Sequence, residues 1–255
     1  MGAQGIKPEI LVIIPVHNCV EYTCECVKSL ASRYRLAVII IDNASTDGTA
    51  EFLTEFLKRQ WAGAVRNELN LGAAGSWNYG IRFNFQQLGA RYMLILNNDT
   101  LLHPDCIDKL VDHARNTEDG LITAYNMAPY LPKPTDILTA KNQLPVEITE
   151  APDFSCFLLK SSTVEKIGFF DENFQPAYFE DNDYHRRMKL AGIRAAKTTR
   201  ALYYHYQSQT KKDNPDIENE IRHTYLRNEG YYVKKWGGRV GHEQFKTPFN
   251  QGAAK

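Results

Sequence analysis

Glu9-Ile10-Leu11-Val12-Ile13-Ile14-Pro15 is a short apolar, largely β-branched run closed by a proline, and its reading decides the fold. A strand with no polar alternation is covered on both faces, the habit of parallel sheets sandwiched between helices. Arg35–Asp42 (RLAVIIID) repeats the pattern, and Arg91–Leu96 (RYMLIL) gives a third such strand. Helical spacing fills the intervals over Val20–Ser32, Thr49–Arg59, Ala73–Leu88 and Pro104–Arg115. In the second of these, Phe52, Leu53, Phe56 and Leu57 form one stripe after a Ser45-Thr46-Asp47 capping signal. Pro104 stands near a first turn, where a helix tolerates it. The first hundred residues therefore read β-α-β-α-β-α-β, half of a doubly wound α/β sheet.

Regularity falls beyond residue 120. Pro129, Pro132, Pro134, Pro145 and Pro152 mark an excursion over one face. A strand is expected at Phe154–Leu159, a short helix at Ser161–Ile167, a charged helix at Glu180–Ala191 and a C-terminal helical segment at Asp213–Lys235. The 255 residues carry 30 Lys+Arg against 30 Asp+Glu, and 43% are hydrophobic. That supplies a sizeable core and no long-range pull on nucleic-acid polymer or anionic lipid. No apolar run approaches the length of a membrane span. Residues 1–9 show no basic and apolar leader, and Ile6 stands where a myristoylation signal wants Ser or Thr. Five cysteines without a C-x-x-C pair read as free thiols of a reducing cytoplasm.

Ligands of open α/β sheets bind beyond the carboxyl ends of the strands. Pro15-Val16-His17-Asn18, Asp42-Asn43-Ala44-Ser45 and Asn97-Asn98-Asp99 all stand there. Asp42 suits a base or ribose edge, Asn97 or Asn98 a sugar hydroxyl, and Asp99 a divalent cation. Neither a G-x-x-x-x-G-K-[ST] loop nor a G-x-G-x-x-G after the first strand is present, so bound phosphates call for a metal such as Mg²⁺ or Mn²⁺ on Asp99. His205 is a candidate second ligand, which favours Mn²⁺. A second acidic group, Glu180-Asp181-Asn182-Asp183, opens a helix. There Glu180 and Asp183 share a face and Asp181 is turned away. The macrodipole excuses one of these carboxylates and leaves another free to act as a general base.

Taken in order, these residues resemble the family 2 glycosyltransferases of the GT-A fold. The segments that carry the likeness are Ile13–Asn18, Ile41–Thr49, Asn70–Gly72 with Asn78–Gly80, Leu96–Thr100, Gly168–Glu172 and Tyr178–Asp183. It runs from Glu9 to His205 and continues weakly through Arg227-Asn228 to Gly237. The resemblance implies an α/β fold of GT-A type, with a Rossmann-like, mostly parallel central sheet flanked by helices. One continuous domain is expected, with a nucleotide-sugar half (1–100), a metal, catalytic and acceptor half (101–210) and a helical tail (211–255). The implied activity is an inverting, metal-dependent transfer from a UDP-, dTDP- or GDP-sugar to a hydroxyl of a saccharide or lipid-linked saccharide. Pro15, Val16, Asn18 and Asp42 would line the base and ribose pocket, with Asn70, Asn78, Asn97 and Asn98 beside the nucleotide or donor sugar. Asp99 and His205 would hold Mn²⁺ or Mg²⁺, Asp181 would act as base, and Glu180 and Asp183 would meet sugar hydroxyls. Asn97 departs from the family's usual D-x-D, and the L-N-N-D form is also that of rhamnosyltransferase-like members.

Three rivals stand against this reading. A sugar nucleotidyltransferase wants a Gly-rich, Arg-containing loop where Pro15–Asn18 stands, and a non-catalytic sugar-binding module needs neither acidic group. An unrelated nucleotide-binding fold ranks last. The tail mixes Tyr231, Tyr232, Lys234, Lys235, Trp236 and Arg239, which suits a helix packed on the domain better than a membrane anchor. The expected location is the cytoplasm, with at most a peripheral contact at the inner face of a membrane.

Overall fold

The computed structural model describes residues 7–59, 61–141, 147–148, 152–206 and 215–251. Residues 1–6, Pro145 and the first residues of the expected tail helix at Asp213 lie outside them. The chain alternates as expected through β1 (Ile10–Val16), α1 (Val20–Lys28), β2 (Leu36–Asn43), α2 (Thr49–Phe56), β3 (Ala62–Asn67), α3 (Gly72–Phe83) and β4 (Tyr92–Leu96). These four strands pair in parallel in the order β3-β2-β1-β4. Every residue of β4, and all but Pro15 of β1, is buried, the reason their sequences show no alternation.

Beyond β4 the sheet turns mixed. β5 (Thr100–Leu102), α4 (Cys106–Asn116), β6 (Leu121–Asn126), β7 (Glu147–Ile148), β8 (Cys156–Lys160), α5 (Ser161–Ile167), α6 (Glu180–Leu190), β9 (Ala195–His205) and α7 (Pro215–Trp236) complete the order. β8 is antiparallel to both β4 and β6, β6 is parallel to β9, and β5 and β7 pair antiparallel with β9. The Pro-rich excursion contains a 3₁₀ turn, Pro134–Thr139. Two apolar layers cover the sheet. One holds Cys26, Phe56 and Ile107, the other Trp77, Phe157 and Tyr184. The second demands a close approach, since a Cβ on Gly80 would stand 2.6 Å from the Ile13 side chain.

The tail packs on the domain. Tyr232 and Trp236 are fully buried with Phe174 and Phe179. Lys235 is buried between Asp171 (2.7 Å) and Asp183 (2.6 Å). Its ammonium is thus neutralised within the fold instead of facing a lipid surface. Among the described residues no helix is long and apolar enough to cross a membrane.

Candidate active site

A cleft of about 410 Å³ opens at the carboxyl ends of β1 and β2. Pro15, Val16, Asn70 and Asn98 line it, together with His17, Asn43, the Pro176–Tyr178 loop and Thr224 of α7. His17 Nδ1 is 2.7 Å from the Asn43 carbonyl. A carbonyl only accepts, so Nδ1 carries the proton and Nε2 of the neutral ring is an acceptor. Asn98 is fixed through Nδ2 to the Asn18 carbonyl (3.2 Å) and Thr23 Oγ1 (3.0 Å). Asn18 in turn accepts from the Thr46 N–H through Oδ1. The Pro176–Tyr178 loop is held by Asn228 of α7, whose Nδ2 donates to the Ala177 carbonyl (2.8 Å). At Gly72, φ is +70° and a Cβ would lie 2.4 Å from the Pro176 carbonyl oxygen, so only glycine lets α3 begin against this loop.

Four expected nucleotide contacts, Asn18, Asn97, Asp42 and Asn78, do not line this cleft, and the last two turn inward. Asp42 is fully buried. Its Oδ1 accepts from the Ser45 N–H, while Oδ2 stands 3.3 Å from Arg66 Nη1 without a hydrogen bond. Asn78 is also fully buried, donating to the Phe170 carbonyl and Glu172 and accepting from the Phe170 N–H. It ties α3 to the Phe170 loop, and both ends of its amide are used.

Asp99 and His205, 106 residues apart, are brought together. β5 follows Asp99 directly and pairs Thr100 with His205, leaving Asp99 Oδ1 3.1 Å from His205 Nε2. The two main chains are pinned as well, by the Tyr206 N–H on the Asp99 carbonyl and the His205 N–H on Asn126 Oδ1. Two ligand atoms in adjacent positions of an octahedral ion with bonds of about 2.1 Å stand about 3 Å apart. One carboxylate and one imidazole at 3.1 Å therefore fit a borderline divalent cation. Among the described residues no group of three His, Cys, Asp or Glu side chains converges. An ion held there would take its remaining ligands from outside these side chains. The Asn97 side chain is partly exposed and has no hydrogen bond among the described residues.

The second acidic group separates into three environments. Glu180 is 6% exposed, its Oε2 has no partner, and burial together with the Asp181 charge pushes its carboxyl up to about 8. Asp181 is also raised, chiefly by burial and further by Asp153, although its Oδ1 accepts from the Asn182 N–H. It lines a second cleft of about 360 Å³ with Pro152, Phe154, Asn182 and His185. Asp183, expected at a sugar hydroxyl, is fully buried instead. Oδ2 takes Arg187 Nε (2.9 Å), and Oδ1 takes Trp236 Nε1 (2.9 Å) and Lys235. Its partners make it the clasp between α6 and α7. Just before α6, Tyr178 (φ 79°) and Phe179 (φ 74°) are left-handed, as are Asn18, Cys19 and Ala44 in the loops after β1 and β2. Such strain in non-glycine residues, gathered at one rim of the sheet, is characteristic of functional sites.

Sequence reading missed the residues that join these groups. The Tyr203 hydroxyl donates to Asp153 Oδ2 (2.7 Å) and lies 2.6 Å from Ser155 Oγ, while the Ser155 carbonyl accepts from the Asn97 N–H (2.9 Å). Tyr203 is fully buried. Asp153 thus touches the strand of His205 through Tyr203, braces the Asn97 loop through Ser155 and raises Asp181. No spacing signals it, because the contact is made across the sheet.

Residues 11–159 match the profile described as glycosyl transferase family 2. A galactofuranosyl glycosyltransferase of Leishmania donovani is 23% identical over 231 residues, covering 73% of this chain and 52% of its own. The chain thus spans about half the length of that relative. The mannosyltransferase PcManGT of Pyrobaculum calidifontis, solved with GDP-Man and Mn²⁺, aligns at TM-score 0.63 and 18% identity over 86% of this chain and 61% of its own. S. aureus TarS with UDP-GlcNAc aligns at TM-score 0.59 and 15% identity over 85% and 65%. These likenesses show the GT-A fold.

Proposed function

The chain belongs to glycosyl transferase family 2, and from that premise we propose that it transfers a hexosyl or deoxyhexosyl unit, with inversion, from a nucleoside-diphosphate sugar to a saccharide hydroxyl. The observation that carries this reading is the pairing of Asp99 with His205 at 3.1 Å, at the strand-end rim where the larger cleft also opens.

The nucleoside occupies the 410 Å³ cleft, against Pro15 and Val16, with His17 Nε2 accepting from a base N–H or ribose hydroxyl. Asn70 Nδ2 donates toward the diphosphate, Asn98 Oδ1 accepts from a ribose hydroxyl because its Nδ2 is spent on Asn18 and Thr23, and Asn97 offers its unoccupied amide to a donor hydroxyl. Asp99 and His205 would hold the Mn²⁺ or Mg²⁺, whose chemistry there is Lewis-acid stabilisation of the departing diphosphate. Asp181 takes the proton from the acceptor hydroxyl as that oxygen attacks the anomeric carbon on the face opposite the diphosphate. Burial raises its basicity toward the working pH, as a general base requires. Glu180, protonated below pH about 8, donates a hydrogen bond to a sugar oxygen. The site works chiefly by orientation and preorganised charge. We place the protein in the cytoplasm, which its free cysteines suit, and touching a membrane at most peripherally, since Lys235 and Trp236 of the tail are spent inside the fold.

A thermal-shift screen of UDP-, dTDP- and GDP-sugars, with and without Mn²⁺, tests the reading. A donor at a hundred times its Kd adds about 2.7 kcal/mol of stability. The Mn²⁺-dependent part of that gain is expected to vanish in Asp99→Ala and His205→Ala. No shift with any donor would overturn the proposal.

A further inference from the structure

One surface beside the reaction centre is left unused by this mechanism. The main chain of His103 donates to the Leu202 carbonyl (3.1 Å), which continues the β5–β9 pairing away from Asp99 and His205. Leu202 is three residues from His205, so a strand rise of about 3.3 Å per residue places this point roughly 10 Å from the metal pair. A groove of about 700 Å³ opens here between α4, the Pro134–Thr139 turn and β9.

Its charged lining is one-sided. His103, Lys109, Lys141 and Arg200 face it, and Asp105 is the sole carboxylate among the lining residues. Asp105 is committed to His103 Nδ1 (2.5 Å) and stands 3.9 Å from Lys109. Lys141 and Arg200 have no carboxylate partner among the described residues, and both are exposed. In a chain of zero net charge, a groove holding three cationic side chains and an imidazole against one acid is a local field of one sign. Thr139 adds a hydroxyl. The surface carrying the groove is anchored rather than loose, because Leu202 and Ile137 are buried in a small cluster with Leu101. The same cluster supports Tyr125, whose ring stacks on that of Tyr130 at 6.0 Å and 17°, and Tyr130 is 64% exposed.

We infer that the groove bounded by His103, Lys109, Lys141 and Arg200 binds a phosphate group of the acceptor. The inference rests on the transferase reading for its purpose, though not for its test. Lys and Arg supply charge and donors to phosphate, Arg in bidentate fashion. The volume admits a diphosphate with a sugar ring, and the exposed face of Tyr130 offers a stacking surface for a further ring. An acceptor held there by its phosphate extends about 10 Å along β9 toward the reaction centre.

The test measures inorganic pyrophosphate by calorimetry in EDTA, where the metal-dependent donor site is silent. Wild-type protein is expected to bind with an affinity that falls as salt rises. Lys141→Glu combined with Arg200→Glu is expected to weaken binding on the order of tenfold or more. Lys141→Ser with Arg200→Ser serves as the milder pair, and the Mn²⁺-dependent thermal shift by the donor stays unchanged in both. Vesicles of phosphatidylcholine with and without phosphatidate separate the sources. Retention on phosphatidate vesicles that is lost in the charge-reversed variant assigns the phosphate to a lipid headgroup. Pyrophosphate binding without vesicle retention assigns it to a soluble acceptor. Pyrophosphate and phosphatidate binding that are both unchanged by the substitutions overturn the inference, and they do so whether or not donor binding holds.

Discussion

Replacing Glu180 by Gln is expected to strengthen the fold, and to do so only at high pH. The carboxyl is 6% exposed, Oε2 has no partner, and the Asp181 charge adds to the cost of ionising it. A carboxyl whose native pKa lies above its unfolded value weakens the native state as pH rises between the two. The loss begins near the unfolded value and is complete above the native one. For Glu180 that window runs from 4.5 to about 8. At about 1.4 kcal/mol per pH unit, the full penalty approaches roughly 5 kcal/mol as a ceiling. Urea denaturation of wild type and Glu180→Gln at pH 5 and pH 8.5 measures it. The two proteins should have nearly equal stability at pH 5, and the variant should lead by several kcal/mol at pH 8.5. In Asp181→Asn, which removes the neighbouring charge, the same substitution should gain less. A Glu180→Gln variant whose stability tracks wild type at both pH values would refute the claim that this carboxyl is held unpaired and desolvated.

Two further perturbations test how the site is carried. Lys235→Met leaves Asp171 and the buried Asp183 without their shared ammonium and is expected to cost about 3–5 kcal/mol in urea unfolding, nearer the lower figure because Arg187 and Trp236 still hold Asp183. Gly72→Ala combines a positive φ with a Cβ 2.4 Å from the Pro176 oxygen. It should cost about 1–3 kcal/mol and displace the Pro176–Tyr178 loop lining the 410 Å³ cleft, so nucleotide affinity by thermal shift should fall along with stability.

The sequence made the parallel half of the sheet legible for one physical reason. Strands buried on both faces, such as Ile10–Val16 and Tyr92–Leu96, carry no polar alternation and stand out as apolar runs. β3 escaped delineation because Ala62–Asn67 is only half-buried, and β5 because three residues show no periodicity. β9 escaped delineation too. Its small Ala195–Thr199 segment is buried by β6 pairing, which no local signal reports. Strand-end logic points to the rim where Pro15 and Asn98 line a cleft and Asp99 meets His205, since the chain direction alone fixes which end of a parallel strand faces that rim. It did less well on side-chain direction. Asp42, Asn78 and Asp183 sit within the right segments, yet each turns inward to partners contributed by distant residues, Arg66, Phe170 and Trp236. Asp153 follows the proline-rich excursion and gains meaning only when Tyr203 reaches it from across the sheet.

The most direct test of the central claim is sugar transfer by Asp181→Asn, measured beside its Mn²⁺-dependent nucleotide binding. Loss of a positioned general base should lower turnover by about 10²–10⁴-fold, with nucleotide affinity unchanged because Asp181 lines the 360 Å³ cleft and not the 410 Å³ one. Turnover near that of the wild type would contradict the account.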